Sequence, residues 1–399
     1  MDVNHHVKKV NKHTVVDLIR FTPGGISRVE LSRELGLTRA AITAIVDELQ
    51  DKKLVYEVKR QNKNGRIQTV LEINPDGGKV VGIDMGATHI TYILSDWSAN
   101  ILNEIEIPFD IDEGPQKGIK VLNENFQLFL VQSGLSINDI SAVGIGVPGP
   151  IDIEKGLVNA PPIMTSWDRY PIRDTLQKLW GIPVSLNNDA EMGALGEWAY
   201  GAGRGEDNLV YIKVGTGIGA GLFLDGRIYH GTTGSAGEIG HMTIEEDGPI
   251  CTCGNRGCLE AIIGGHAIAN HARDAVQRGE RTVLAQITPI DSISSRHVLS
   301  SAKRGDLVAQ QIVIDAGHHL GTAISGVINL INPSMVIIGG GLSQMGDLVL
   351  EPIRQTIKAR SLISSLQVVR ITQALLGKRA SAIGSVVQAL TIVLHQVCN

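Results

Sequence analysis

The sequence predicts an α/β protein in which a winged helix-turn-helix precedes a longer body of alternating strands and helices. Three observations carry that prediction. Two short amphipathic helices joined at a glycine, and then two short strands, occupy residues 28–73. Beyond them, apolar strands run repeatedly into Gly- or Asn-rich turns. Gly supplies 46 of the 399 residues, well above the usual ~7%. Pro shows no matching excess, so the glycines point to tight turns.

The length allows two to four domains at ~100–200 residues each. With 43% apolar and 19% charged residues the chain is neither disordered nor fibrous. The net charge of −5 alone speaks against a nucleic-acid binder, but it is unevenly spread. Residues 1–70 carry 13 Lys and Arg against 8 Asp and Glu, and the other 329 carry 23 against 33. A basic head on an acidic body is expected when only the head meets phosphate. Met1 to Val10 is polar, without an apolar signal core. Two uncharged stretches, Ala316–Gly346 and Ala380–Asn399, are interrupted by Asn, Gln, Gly or Pro. They read as buried elements rather than membrane spans, and a cytoplasmic protein is expected.

In the head, Thr14–Arg20 presents Val15, Leu18 and Ile19 on one helical face. Ser27-Arg28-Val29-Glu30 is a capping box opening a helix to Leu35. Gly36 supplies the turn, and Thr38 caps a longer helix to about Lys52 with Ile42, Ile45, Val46 and Leu49 inward. Strands follow at Val55–Arg60 and Ile67–Ile73, joined by the polar, basic hairpin Gln61–Arg66 that forms the wing. Arg39 and Thr43 lie on the half of the second helix that meets base edges in such folds. Lys59, Arg60, Lys63 and Arg66 lie in or beside the wing, and Arg66 suits a minor groove. With Ser27, Arg28 and Thr38 these are the candidate DNA contacts. The alternative is a solvated charged face.

In the body, Val80–Asp84 runs into Gly86-Ala87-Thr88, and Leu209–Val214 runs into Gly215-Thr216-Gly217-Ile218-Gly219. Such turns bring backbone N–H groups close to an anion. Asp84 is placed to hold Mg²⁺ through water, and Thr88 and Thr216 to donate to phosphate. Either turn alone also reads as an ordinary hairpin. The recurrence suggests two related lobes. Asn188-Asp189 ends another strand, where an Asp can orient or deprotonate a substrate hydroxyl. Both residues also suit capping of the next helix. Finally His241, Cys251, Cys253 and Cys258 form a Cys₃His set within eighteen residues. It matches a closed, structural zinc site, against reduced thiols in a loop. Zinc there would also position Glu238, His241 and Glu260.

Assembled, these motifs resemble the ROK family (repressors, open reading frames, kinases), and specifically its repressor branch of the xylose-repressor and N-acetylglucosamine-repressor type. Lys9–Lys12, Ile26–Leu31 and Gly36–Thr43 resemble the head of that branch, which ROK kinases typically lack. The resemblance implies an actin-like, ribonuclease H-like body of two lobes around a cleft. Residues 1–74 would be the DNA-binding domain, 75–78 a linker, 79–190 the first lobe completed by 380–399, and 191–379 the second lobe with its zinc loop at 238–260. It implies sugar contacts at Gly149, Asn188, Asp189, Glu238, His241 and Glu260. It implies phosphate contacts at Asp84, Gly86, Thr88, Gly215, Thr216, Gly217 and Gly219, and adenosine contacts at Gly340 and Gly341. Three positions depart from the family pattern: His89 where kinases carry Lys, Asn187 where an acidic residue is frequent, and Ile67-Gln68 after Gly65-Arg66 where the repressors carry a Pro. The implied function is a sugar-responsive repressor with structural zinc, binding operator DNA as a homodimer or dimer of dimers. The alternative is an ATP- and Mg²⁺-dependent sugar kinase with Asp189 as its base.

Overall fold

The computed structural model describes residues 3–61 and 65–398, with side chains from Lys12 onward. The first helix, α1 (Val3–Phe21), starts well before the expected Thr14. Its apolar stripe signals only the packed part, where Val15, Val16 and Ile19 are buried. Next come α2 (Arg28–Glu34) and α3 (Arg39–Asp51). The capping box forms as its chemistry requires: Ser27 accepts from the Glu30 amide, and Glu30 accepts from the Ser27 amide and hydroxyl. Thr38 caps α3 by accepting from the Ala41 amide. Leu31, Ile42, Val46 and Leu49 close the small core. The wing is an antiparallel pair, β1 (Val55–Gln61) and β2 (Ile67–Ile73), in register from Val55↔Ile73 to Gln61↔Ile67.

Where a linker is expected, the chain makes a single 3₁₀ turn, Pro75–Gly77, capped by Asn74. It is seated rather than loose. A Cβ on Gly77 would lie 2.1 Å from the Trp97 ring, and Asn74 donates to the Lys53 carbonyl.

The first sheet is built from β3 (Lys79–Met85), β4 (His89–Asp96), β5 (Ile101–Pro108), β6 (Ile140–Val147) and, after further elements, β9 (Val184–Asn188). Between them lie α4 (Pro115–Gln132), the two-residue strands β7 (Ile151–Asp152) and β8 (Leu157–Val158), and α5 (Ile172–Trp180). Phe126, Phe129, Leu176 and Trp180 from α4 and α5 pack one face of this sheet. Helix α6 (Asp189–Tyr200) then crosses to the second half.

That half holds β10 (Leu209–Val214), β11 (Ile218–Leu224), β12 (Arg227–Ile228), α7 (Leu259–Ile263), α8 (Gly265–Gln277), α9 (Ser295–Lys303), α10 (Leu307–Ile331), β13 (Met335–Gly339), α11 (Gly340–Ser343), α12 (Asp347–Arg360), α13 (Ile363–Leu366) and β14 (Arg370–Gln373). The two sheets run β5-β4-β3-β6-β9 and β12-β11-β10-β13-β14. Both follow one order: third, second, first, fourth, fifth. In each, the central strand is antiparallel to its hairpin partner and parallel to the fourth strand. The recurring Gly turn is therefore the hairpin of a repeated unit.

The last helix, α14 (Ala380–Cys398), is apolar and long enough by composition to cross a membrane, yet its flank is buried in the protein. It lies on β3 and β6 so closely that a Cβ at Gly82 would sit 2.2 Å from the Ala382 carbonyl oxygen, and one at Gly144 2.0 Å from that of Ser385. Its outer end carries the head. Val15, Val16 and Ile19 share a core cluster with Leu390, Val393 and Leu394. Arg20 donates to the Thr391 hydroxyl at 2.9 Å and to the Val387 carbonyl at 2.8 Å. His395 Nε2 lies 3.1 Å from Asp17 and its ring stacks on His13.

Candidate functional site

Between the two sheets lies a cavity of about 460 Å³. All fifteen residues expected to contact sugar, phosphate or adenosine line it. The topology explains the convergence. The hairpin turns 86–88 and 215–217 face each other from equivalent corners of the repeat, with the ends of β6, β9 and β13 beside them.

The end expected to meet sugar is assembled from local structure. Asn188 caps α6, its Oδ1 accepting from the Ala190 and Glu191 amides, while its Nδ2 donates to the Gly149 carbonyl at 2.8 Å. Gly149 has φ +90°, a conformation that favours glycine. Asn188 thus holds the 148–150 turn in place and leaves Asp189 facing the cavity. Glu260, in the first turn of α7, accepts from the Ile218 amide at 2.8 Å and ties that helix to β11. Glu238 is the electrostatically unusual group. Burial, together with Asp189, Glu260 and Glu191, pushes its carboxyl up to about 7.

His241 joins this end to the cysteines. Its Nε2 lies 3.9 Å from Glu238 and its Nδ1 3.6 Å from Cys251 Sγ. Cys253 and Cys258 Sγ are 3.7 Å apart, and the ligand atoms of all four residues lie within 4.8 Å of one another. A tetrahedral zinc with Zn–S of about 2.3 Å and Zn–N of about 2.0 Å spaces two thiolates by about 3.8 Å and a thiolate from an imidazole nitrogen by about 3.5 Å. The donor set and its spacing therefore suit such an ion. Burial and the adjoining Cys253 and Cys251 push the Cys258 thiol up to about 12, a strain that a bound cation relieves.

The end expected to meet phosphate holds an ion-pair cluster. Asp84 is paired with a lysine. Lys213 Nζ lies 3.3 Å from both its carboxylate oxygens, 2.8 Å from Asp189 Oδ2 and 3.3 Å from Ser381 Oγ. Ser381 in turn donates to the Asp189 carbonyl at 2.8 Å. Burial alone would discharge Lys213, but Asp189 and Asp84 outweigh it and raise its pKa. Burial also raises the Asp84 carboxyl against the pull of Lys213, as expected when one cation serves two carboxylates. Gly215 is partly committed too, since its amide donates to the Gly217 carbonyl. Sequence reasoning passed over Lys213, although it is the one charged residue in Leu-Val-Tyr-Ile-Lys-Val, immediately before the turn. It also passed over Arg296 and Lys303, which line the cavity from α9.

In the head, Thr38, Arg39 and Thr43 are exposed at the start of α3, and Lys59 and Arg66 on the wing. Lys63 lies outside the described residues. Three of the expected DNA contacts have partners within the head. Arg28 donates to Glu57, Asp47, Gln50 and the Thr43 carbonyl, clamping α2 to α3 and the wing. Ser27 is consumed by its capping box. Arg60 pairs with Glu72 across the wing.

A repeated five-stranded unit, facing turns and a Cys₃His loop beside a polar cavity define the class of protein. The ROK family profile matches residues 80–392, and the chain belongs to the ROK family. It is 32% identical over 393 residues to the xylose repressor of Caldicellulosiruptor bescii, covering 98% of each chain. It is 35% identical over 283 residues to the glucokinase of Thermotoga maritima, covering 70% of this chain and 87% of that one. Among solved structures, a ROK family transcriptional regulator homologous to E. coli MLC superposes with a TM-score of 0.82 at 31% identity over 98% of both chains. A ROK family glucokinase from Streptomyces griseus, in complex with glucose and AMPPNP, gives 0.70 at 28% identity over 78% of this chain and 99% of that one. The body is thus the two-lobed, actin-like ATPase fold of that family.

Proposed function

We propose that this chain is a sugar-responsive transcriptional repressor. One observation carries the reading: the relatives named as repressor or regulator span the chain end to end, head included, while the kinases match only the body. The head would bind operator DNA through Arg39 and Thr43 of α3 and through Lys59 and Arg66 of the wing. Two heads of a homodimer would enter major grooves ~34 Å apart. The sugar would occupy the end of the cavity formed by Gly149, Asp189, Glu238, His241 and Glu260, with zinc on the cysteines holding that loop. Xylose is the first sugar to test. Such a protein works beside DNA in the cytoplasm.

Helix α14 supports the coupling of sugar to DNA, because it touches both places. Its first turn meets Asp189 and Lys213 through Ser381, and its last turns hold α1. A sugar shifts the DNA-competent population only by its difference in affinity between two arrangements, typically ~1–3 kcal/mol. The test is a mobility-shift titration on a duplex selected by the protein itself, with and without xylose, glucose and N-acetylglucosamine. One sugar should change the apparent Kd at least about fivefold. An unchanged Kd with every sugar overturns the reading.

The second reading, an ATP- and Mg²⁺-dependent sugar kinase, is favoured by the presence of both phosphate turns. It requires Asp189 to take a proton and Asp84 to face a metal. ADP release above that of an Asp189→Asn control would establish it.

A further inference from the structure

The kinase-like half of the cavity contains a cation of its own. Lys213 has three N–H donors, and three acceptors surround it: Asp84, Asp189 and Ser381. Asp84 is 1% exposed. The residues therefore do not fit a divalent metal at Asp84, because an ammonium already sits against both of its oxygens. A second cation there would face Lys213 at a distance of a few ångströms.

The position of Lys213 has a structural origin. Aligned on their turns, Val81-Gly82-Ile83-Asp84-Met85-Gly86 and Val210-Tyr211-Ile212-Lys213-Val214-Gly215 are equivalent segments of the repeated unit. Register agrees. Asp84 stands beside Gly146 of the parallel fourth strand, and Lys213 beside Gly339 of its counterpart. One repeat thus ends its central strand in a carboxylate and the other in an ammonium, and the two meet in the middle of the cavity.

We propose that Lys213 is a resident cation standing where a kinase cleft would hold its divalent metal, so that the cavity receives sugar without a metal at Asp84. This rests on the sugar-cleft reading for its biological meaning, while the metal exclusion stands on the ion pairs alone. Lys213 occupies the Oδ2 face of Asp189 and fixes that carboxylate as a sugar acceptor. Through Asp84, Asp189 and Ser381 it joins β3, α6, β10 and α14 at one point. Lys213 is a positioning residue in this role, not a catalytic one.

The experiment is a Mn²⁺ titration of the full-length, zinc-loaded chain followed by electron paramagnetic resonance, with no sugar present. The wild type should leave the free-Mn²⁺ signal undiminished at millimolar metal. Lys213→Ala and the better-filling Lys213→Met should each gain one Mn²⁺ per chain, at least about tenfold tighter than the wild type, because the two carboxylates then have no cation. Their thermal midpoints should rise with Mn²⁺ while that of the wild type stays put, and adding Asp84→Asn should abolish the gain. A merely structural lysine would lower stability without creating a metal site. Stoichiometric Mn²⁺ on the wild type overturns the proposal, as does a folded Lys213 variant that gains none. If neither variant folds, the wild-type titration still decides. Because no sugar enters the assay, failure here leaves the sugar reading standing, and an unresponsive mobility shift leaves this proposal standing.

Discussion

The two lobes share one strand order and differ in what they add to it. In the first, the turn after β3 follows a buried carboxylate, and the sheet's open face is covered by α14 and through it by the head. In the second, the turn after β10 follows a lysine, and the polypeptide after β12 grows into the cysteine loop. On the proposed reading the sugar lies between the lobes, the cysteine loop belongs to the second, and the DNA-binding head is attached to the first. On that reading, a change at the cysteine loop reaches the head only by crossing between lobes. In the cavity Lys213 makes that crossing, reaching Asp84, Asp189 and Ser381 of the first lobe.

The crossing can be broken directly. Lys213→Asp would gather three carboxylates around one buried point. Removing a partner from a buried pair typically costs about 3–5 kcal/mol, and a large fall in the denaturation midpoint is expected. Exchanging the charges, Asp84→Lys with Lys213→Asp, should recover about half of that loss or more if the two positions are equivalent members of a repeat. A double variant no better than the sum of the singles would break the equivalence.

The second lobe's addition is tested by Cys258→Ser. Loss of bound zinc should be visible by metal analysis. Sugar affinity should fall about tenfold to a hundredfold, the range seen when support around a metal site is removed, because Glu238, His241 and Glu260 lose their common anchor. DNA affinity without sugar should barely change, since the head packs on α14. An equal fall in both would mean that the lobes are not separable in this way.

Much of this was legible in the sequence because it rests on local chemistry. A capping box, a Gly turn, a wing hairpin and a Cys₃His spacing each announce themselves within a few residues, and the structure forms all four. What was not legible depends on residues far apart in the chain. Lys213 gains meaning only when β3 and β10 face each other, 129 positions apart. Arg28 reads as a phosphate contact until α3 and the wing supply Asp47 and Glu57. The docking of α1 on α14 joins the two ends of the chain, and no short-range pattern reports it. Asn188 shows a third situation: both readings of it were visible in the sequence, and the structure gives its side chain to the cap.

The first lobe's attachment to the head is tested by Arg20→Ala. Arg20 is buried, and its guanidinium satisfies Thr391 and the Val387 carbonyl. Hydrogen bonds from a charged donor contribute about 1.5–3 kcal/mol, so a loss of that order is expected. Beyond that loss, the sugar-dependent change in DNA affinity should shrink towards none, while sugar affinity and DNA affinity are each retained. A stability loss with the sugar response intact would place the coupling elsewhere than α14.

The smallest effects separate Arg39 from Arg28 in the head. Arg39 is exposed at the start of α3, and Arg28 is held by Asp47 and Glu57. If Arg39 neutralises a phosphate, Arg39→Ala should weaken DNA binding and reduce the slope of log Kd against log salt by about 1, with the thermal midpoint unchanged. Arg28→Ala should do the reverse. It should lower stability by up to about 1 kcal/mol, as partly exposed ion pairs do, and leave the salt slope untouched. The pair is informative because both residues are basic and both lie on the helix-turn-helix. Only their partners differ, and a salt slope that responds to Arg28 instead of Arg39 would mean that the clamp opens when the head meets DNA.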